Sequence, residues 1–212
     1  MNVLVVGANG NVGKQVIGEL KESNHKGIAM IRDESQAESL KEAGADRVVV
    51  ADLEKDFEQA FEDVDAVIFA AGSGGNTGAD KTILIDMWGA MKVIDAAKKH
   101  GVERFIMLSS MGTSDPDKSE KIRHYLVAKK VADDYLKQTD LKYTIVRPGS
   151  LTDEESLGKI KLEEEIQNRN TTITRADVAK VLIDVIDRKN THEKTFEILN
   201  GDTPIGEALE TV

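Results

Sequence analysis

Over the first 150 positions, short β-branched apolar runs alternate with longer stretches whose apolar residues recur at helical spacing. The runs at residues 3–6, 28–31, 48–51, 66–70, 104–108 and 143–146 predict strands, and the stretches near 12–22, 35–43, 57–61, 83–99 and 122–138 predict helices. Because the strand runs are continuously apolar, both faces of their sheet must be covered. Strand and helix in alternation demand right-handed crossovers and hence an α/β fold, a doubly wound parallel sheet with helices on both faces. The commonest strand order, 3-2-1-4-5-6, opens a crevice beside the first strand, where ligands bind.

After Pro148 the pattern loosens. Residues 150–174 are polar and charged, with a glutamate triplet at 163–165 that reads as a solvated face or a helix start, before a helix at 176–188 and the strand-like run TFEIL. There is no internal repeat and no linker. The expected organisation is one domain over 1–212, with 150–212 forming a small cap on the substrate side.

Composition narrows the function classes. The 212 residues are 40% hydrophobic and 31% charged, ordinary values for a globular chain. With no cysteine, disulfides, thiolate metal sites and cysteine nucleophiles are excluded. A formal charge of -10 opposes a nucleic-acid partner, because phosphate neutralisation needs a basic face. No stretch reaches the ~20 apolar residues of a spanning helix, and residue 1 leads straight into a strand, so a cytoplasmic protein without a membrane partner is expected. Four scattered histidines, His25, His100, His124 and His192, lack ligand spacing, and no metal site is expected.

The chemistry begins in VVGANGNVG. Gly7, Gly10 and Gly13 follow a strand and open a helix, with Asn9, Asn11 and Val12 between them, which is the context a dinucleotide-binding loop requires. Gly7 would allow a tight turn, Gly10 close approach of a diphosphate, and Gly13 close packing of helix on strand. At the end of the second strand, Arg32 favours the 2'-phosphate of NADP over NAD; its alternative is a surface pairing with Asp33 or Glu34. Asp52 and Leu53 after the third strand could meet an adenine, or Asp52 could cap a helix. Ala70, Ala71 and Gly72 end the fourth strand with small residues that let a cofactor lie close.

The fifth strand ends at Ser109 and Ser110. On the next helix Tyr125 and Lys129 lie four residues apart, on one face. A lysine ammonium beside a phenol should lower the phenol's pKa, and such a tyrosine can exchange a proton with a substrate oxygen while hydride moves at carbon. Tyr-x-x-x-Lys alone is a weak signal. The order in which glycine loop, Arg32, the serines, the tyrosine and IVRPG follow one another is a stronger one.

Through GANGNVG, AAGSGG, KKHGVERFIMLSS, YLVAK, YTIVRPG, ITRADVA and NGDTPI, the whole chain resembles the short-chain dehydrogenase/reductase superfamily, Rossmann-type folds, and within it the compact atypical group assigned to NAD(P)-dependent epimerase/dehydratases. The resemblance implies Ser110, Tyr125 and Lys129 as the catalytic set, Lys129 also on the nicotinamide ribose, and Pro148 and Gly149 near the nicotinamide. Asp86 stands where the family usually has a catalytic asparagine, and sixty carboxyl-terminal residues are too few for a sugar-nucleotide domain. The expected function is therefore an NADP-dependent oxidoreductase of a small carbonyl or alcohol, or an epimerase/dehydratase, acting as monomer or homodimer. A non-catalytic NADP(H) sensor and an NADPH-dependent flavin or pigment reductase are the alternatives. Met87, Trp88 and Met91 are expected in the core, while Arg147, Arg175 and Asp177 either touch ligand or pair structural elements.

Overall fold

The computed structural model describes residues 1–75, 77–168 and 170–212. Along the chain lie β1 (Asn2–Val6), α1 (Asn11–Lys21), β2 (Lys26–Ile31), α2 (Ala37–Ala43), β3 (Arg47–Val50) and β4 (Ala66–Phe69). Then come α3 (Ala79–Lys81), α4 (Ala90–Lys99), β5 (Arg104–Leu108), α5 (Arg123–Lys137) and β6 (Lys142–Pro148). The carboxyl-terminal part holds β7 (Leu151–Thr152), β8 (Lys159–Glu163), β9 (Ile173–Thr174), α6 (Arg175–Asp184), β10 (Lys194–Asn200), β11 (Thr203–Pro204) and α7 (Ile205–Glu210).

The first six strands form a parallel sheet in the order 3-2-1-4-5-6, as the alternation predicts. Alternate side chains of each strand serve opposite layers. Val3, Val5, Ala29, Ile31, Ile68 and Ile106 pack with Val16, Ile17 and Leu20 of α1 and with Val178, Val181 and Leu182 of α6. Leu4, Val6, Met30, Val67, Phe69 and Phe105 face the other way, against Val93, Ile94 and Ala97 of α4 and Ala132 and Leu136 of α5.

Three elements differ from expectation. The helix expected at 57–61 is a single 3-10 turn, Glu58–Phe61, held by the burial of Phe57 and Phe61. The helix expected at 83–99 joins α3 to α4 through a π-helical stretch, Thr82–Gly89. Trp88 within it is 48% exposed instead of buried in the core.

Three strands of the last sixty residues extend the sheet, while β7 and β9 pair with each other in a separate parallel ribbon. β10 lies parallel to β6, β8 antiparallel to β10, and β11 antiparallel to β8. Glu163 closes β8 and starts no helix. In KIKLE only Ile160 is fully buried, so this strand alternates apolar and charged residues and carries no continuous apolar run. No helix among the described residues is long and apolar enough to cross a membrane.

Candidate cofactor and catalytic site

β1 stops at Val6 because Gly7 turns the chain with φ +85°, a conformation costly for other residues. A Cβ on Gly7 would also lie 2.5 Å from the Ala71 Cα, and one on Gly13 would lie 2.2 Å from the Gly7 carbonyl oxygen. The loop therefore folds back tightly, with the Gly10 amide donating to that carbonyl at 2.9 Å. Gly10 supplies no side-chain cap to α1, and the first turn holds no acid. The helix thus begins with amide groups and a positive dipole end available to an anion.

In front of this loop lies a cavity of about 290 Å³. Its walls include Gly7, Asn9 and Gly10 from the loop, Arg32 after β2, Leu53 after β3, and Ala70, Ala71 and Gly72 after β4. The crevice is thus where the strand order reverses. Asn11, Val12 and Gly13 lie behind the wall in the first turn of α1. Arg32 is exposed, and no carboxylate among the described residues comes within ion-pair distance of it; Asp33 instead accepts from the Ser35 amide at 2.9 Å. Asp52 is not on the wall and caps no helix: its Oδ1 accepts from the Glu54 amide at 2.9 Å in a turn, and the next helical element starts at Glu58 after Phe57. Sequence reasoning missed Gln36, Thr77 and Lys81 on the wall, where the Lys81 ammonium pairs with Glu54 at 2.6 Å.

Further along the same sheet edge stand the candidate catalytic groups. Lys129 of α5 is 2% exposed, donates from Nζ to the Leu108 carbonyl at 2.7 Å, and lies 5.7 Å from the centre of the Phe69 ring. Tyr125, one turn earlier, is half-buried, with Ser110 near enough to act on its phenol, while the Ser110 hydroxyl donates to the Met111 carbonyl at 3.2 Å. Asp86 is 1% exposed, and its Oδ2 accepts from the Ser73 amide at 2.9 Å.

The expected lowering of the tyrosine pKa is reversed. Burial pushes the Tyr125 phenol up to about 12, the Asp86 carboxylate adds to the rise, and the nearby Ser110 hydroxyl opposes it. The negative charge of Asp86 works against the phenolate. Burial also pushes Lys129 down, while Asp86 and Asp133 hold it up.

Ser109 is not turned toward the crevice. Its hydroxyl donates to Asp133 Oδ2 at 2.8 Å, and the same oxygen accepts from Arg147 Nε at 3.0 Å and Nη2 at 2.9 Å. Arg147 therefore pairs a structural element, as Arg175 does with Asp153 at 2.8 Å. Asp133, fully buried, is the residue that sequence reasoning passed over. Pro148 and Gly149 close β6 beside the serines, with Pro148 accepting from the Met111 amide at 2.9 Å.

Known proteins agree with this geometry. The profile of the NAD(P)H-binding family matches residues 7–189. An uncharacterized sugar epimerase of Bacillus subtilis is 42% identical over 99% of this chain and 99% of its own. A Bacillus halodurans structure, provisionally assigned as an NAD-dependent epimerase/dehydratase, is 55% identical with TM-score 0.99 over the full length of both chains. The oxidoreductase ylbE from Lactococcus lactis is 31% identical, with TM-score 0.87 over 100% of this chain and 96% of its own. A glycine-walled crevice at the switch point of a 3-2-1-4-5-6 sheet and a family profile spanning most of the sequence lead to one conclusion: the chain belongs to the NAD(P)H-binding family of Rossmann-type proteins.

Proposed function

We propose that the chain is an NADP-dependent oxidoreductase acting on a small carbonyl or alcohol, with Tyr125 as the proton donor and acceptor. The observation that carries this reading is the cluster of Tyr125, Ser110 and Lys129 on the sheet edge that also holds the glycine-walled cavity. The cavity suits a dinucleotide: Gly7 and Gly13 leave no room for side chains, and the uncapped start of α1 offers amides to a diphosphate. Arg32, free of carboxylate partners, would hold a 2'-phosphate, and Lys129 a ribose hydroxyl. Ala70, Ala71 and Gly72 would lie against the bound nucleotide, and Pro148 and Gly149 beside its nicotinamide end.

When bound, the nicotinamide supplies or accepts a hydride. The residues of the chain handle the proton and the geometry. With its pKa at about 12, Tyr125 is a neutral phenol near pH 7, ready to give its proton to a carbonyl oxygen that Ser110 orients. The phenolate left behind lies on the helix face of the Lys129 ammonium and is reprotonated from solvent. Asp86 makes that phenolate costly, which favours return of the proton after each carbonyl reduction.

The test is Tyr125→Phe assayed with NADPH against aldehydes, ketones and quinones. The expected result is a loss of kcat of about 10²–10⁴-fold with cofactor affinity retained. Turnover at the unsubstituted rate overturns the tyrosine mechanism. Tight NADP binding without turnover of any carbonyl favours a sensor of the NADP/NADPH ratio.

A further inference from the structure

Among the buried charged groups that the mechanism does not use, Asp133 stands nearest the candidate catalytic lysine in the chain. Asp133 lies on α5 one turn beyond Lys129 and is fully buried. Its Oδ2 takes three hydrogen bonds, one from Ser109 on the β5 side and two from Arg147 of β6. Its Oδ1 has no hydrogen-bond donor among the described residues. Burying a carboxylate costs several kcal/mol, and a pure Arg147 anchor would use both oxygens in the paired fork geometry.

The surroundings indicate what the charge does. Lys129 is buried with a carbonyl as its hydrogen-bond partner, and a carbonyl compensates an ammonium poorly. Near enough to act on its charge, though beyond ion-pair distance, are Asp133 one turn along α5 and Asp86 of the π-helical stretch, with the uncharged Phe69 ring of β4 at 5.7 Å and Arg147 of β6 on the far side of Asp133. Lys137, exposed one turn further along α5, is a third cation that the Asp133 charge influences. Lys129 and Arg147 are two buried cations balanced by Asp86 and Asp133. Removal of Asp133 leaves both cations with one carboxylate, whereas the neighbouring Asp134 is taken up at the surface by Lys130 at 3.0 Å.

We propose that Asp133 is a positioning residue that serves as the counter-charge of Lys129, clamped by Arg147 and Ser109 so that the lysine stays an ammonium inside a dry site. The inference rests on the reading of Lys129 as a cofactor-holding group for its consequence, but not for its measurement. In Asp133→Asn, Ser109 and Arg147 keep an oxygen acceptor while the charge is gone. In Asp133→Glu the charge stays.

The experiment is a ¹³C NMR titration of the Lys129 Cε resonance in the free protein, from pH 6 to 11. Asp133→Asn should lower the titration midpoint by about one to three pH units, and Asp133→Glu should restore most of that shift. A midpoint unchanged in Asp133→Asn, in a protein whose melt shows it folded, overturns the proposal. So does an equal fall in both variants, which would mark a purely structural role. If Asp133→Asn does not fold, the unsubstituted protein decides: the Lys129 resonance must shift as Asp133 titrates in acid, and a flat response overturns the proposal.

NADPH binding by the same variants separates the two ideas. Asp133→Asn should lose affinity at alkaline pH while keeping it near pH 6. Lys129→Met should lose it at every pH. A Lys129→Met protein that binds NADPH as tightly as the unsubstituted one overturns the cofactor reading and leaves the Asp133 result standing.

Discussion

Arg32 and Asp133 show opposite fates of a charged residue. Arg32 is on the cavity wall with no ion-pair partner among the described residues, and a charge-assisted hydrogen bond to phosphate contributes about 1.5–3 kcal/mol. Arg32→Ala should therefore raise the Kd of NADP by about ten- to a hundredfold, measured by fluorescence titration, with the Kd of NAD changed by less than about threefold. Equal losses for both cofactors would remove the 2'-phosphate from the account. Position alone made Arg32 legible, since the distance from a glycine loop to the end of the second strand is a property of the fold. Asp133 was not legible because VADDYL presents two adjacent aspartates of identical chemistry. One faces the sheet and the other faces water, and only the rotation of α5 distinguishes them. The direction of the tyrosine shift was hidden for a similar reason. Spacing placed Lys129 beside Tyr125, but burial and the approach of Asp86 depend on elements distant in sequence.

Among the elements, α6 shows how a helix start fastens a loop. The Asp177 amide donates to Thr174 Oγ1 at 2.9 Å, and its carboxylate accepts from Thr174 Oγ1, Ser156 Oγ and the Leu157 and Gly158 amides at 2.6–2.9 Å. Burial would raise this carboxyl, but the hydrogen bonds together hold it below its ordinary value. A lowered folded pKa gives stability that is present above the unfolded value of about 3.9 and lost as pH falls through the folded one. Asp177→Ala should thus cost about 3 kcal/mol at pH 7 by urea unfolding, and the gap to the unsubstituted protein should narrow below about pH 4. A gap independent of pH would mean the charge contributes nothing. Sequence reasoning offered Asp177 as either a ligand contact or a structural pairing, and four donors make it the latter. Apolar runs found all six strands of the parallel core, five of them buried on both faces and the edge strand β3 half-buried yet still an unbroken valine run. The same test missed β8, with one face in water, and the π-helical stretch, whose apolar residues fit the α-helical count closely enough to read as one helix with α4.

At the scale of the whole molecule, the carboxyl-terminal sixty residues are joined to the rest by main-chain pairing and not merely by contact. β10 covers the edge of β6 and carries β8 and β11 outward, while α6 packs beside α1 on the same face of the sheet. Phe196, Ile198, Leu199, Ile205 and Leu209 are buried there, each contributing about 2 kcal/mol, a total of about 10 kcal/mol and comparable with the stability of a whole domain. A chain ended after residue 189 should therefore show no cooperative thermal transition by circular dichroism. A sharp melt in that shortened protein would mean that the six-stranded core stands alone. The sequence carried the architecture of the core in its periodicity, whereas the sheet's extension depends on which edge the late strands choose, and periodicity does not encode that choice.

The π-helical stretch between α3 and α4 has a meaning in terms of residue number. A helix closed by i→i+5 bonds holds a residue that an α-helix of equal length would not. Asp86 lies within the widened turns, with Gly89 and α4 following in register for the sheet. Losing one residue between Thr82 and Gly89 would return the segment to the α-helical count with the turns on either side kept in place, and would change which side chain leaves this stretch toward Ser73. The contact of Asp86 with Ser73, and its charge beside Tyr125 and Lys129, are thus fixed by a length. Among relatives, the pairing of an acid at this position with the extra residue is the thing to compare, because neither change alone would put a carboxylate where this protein has one.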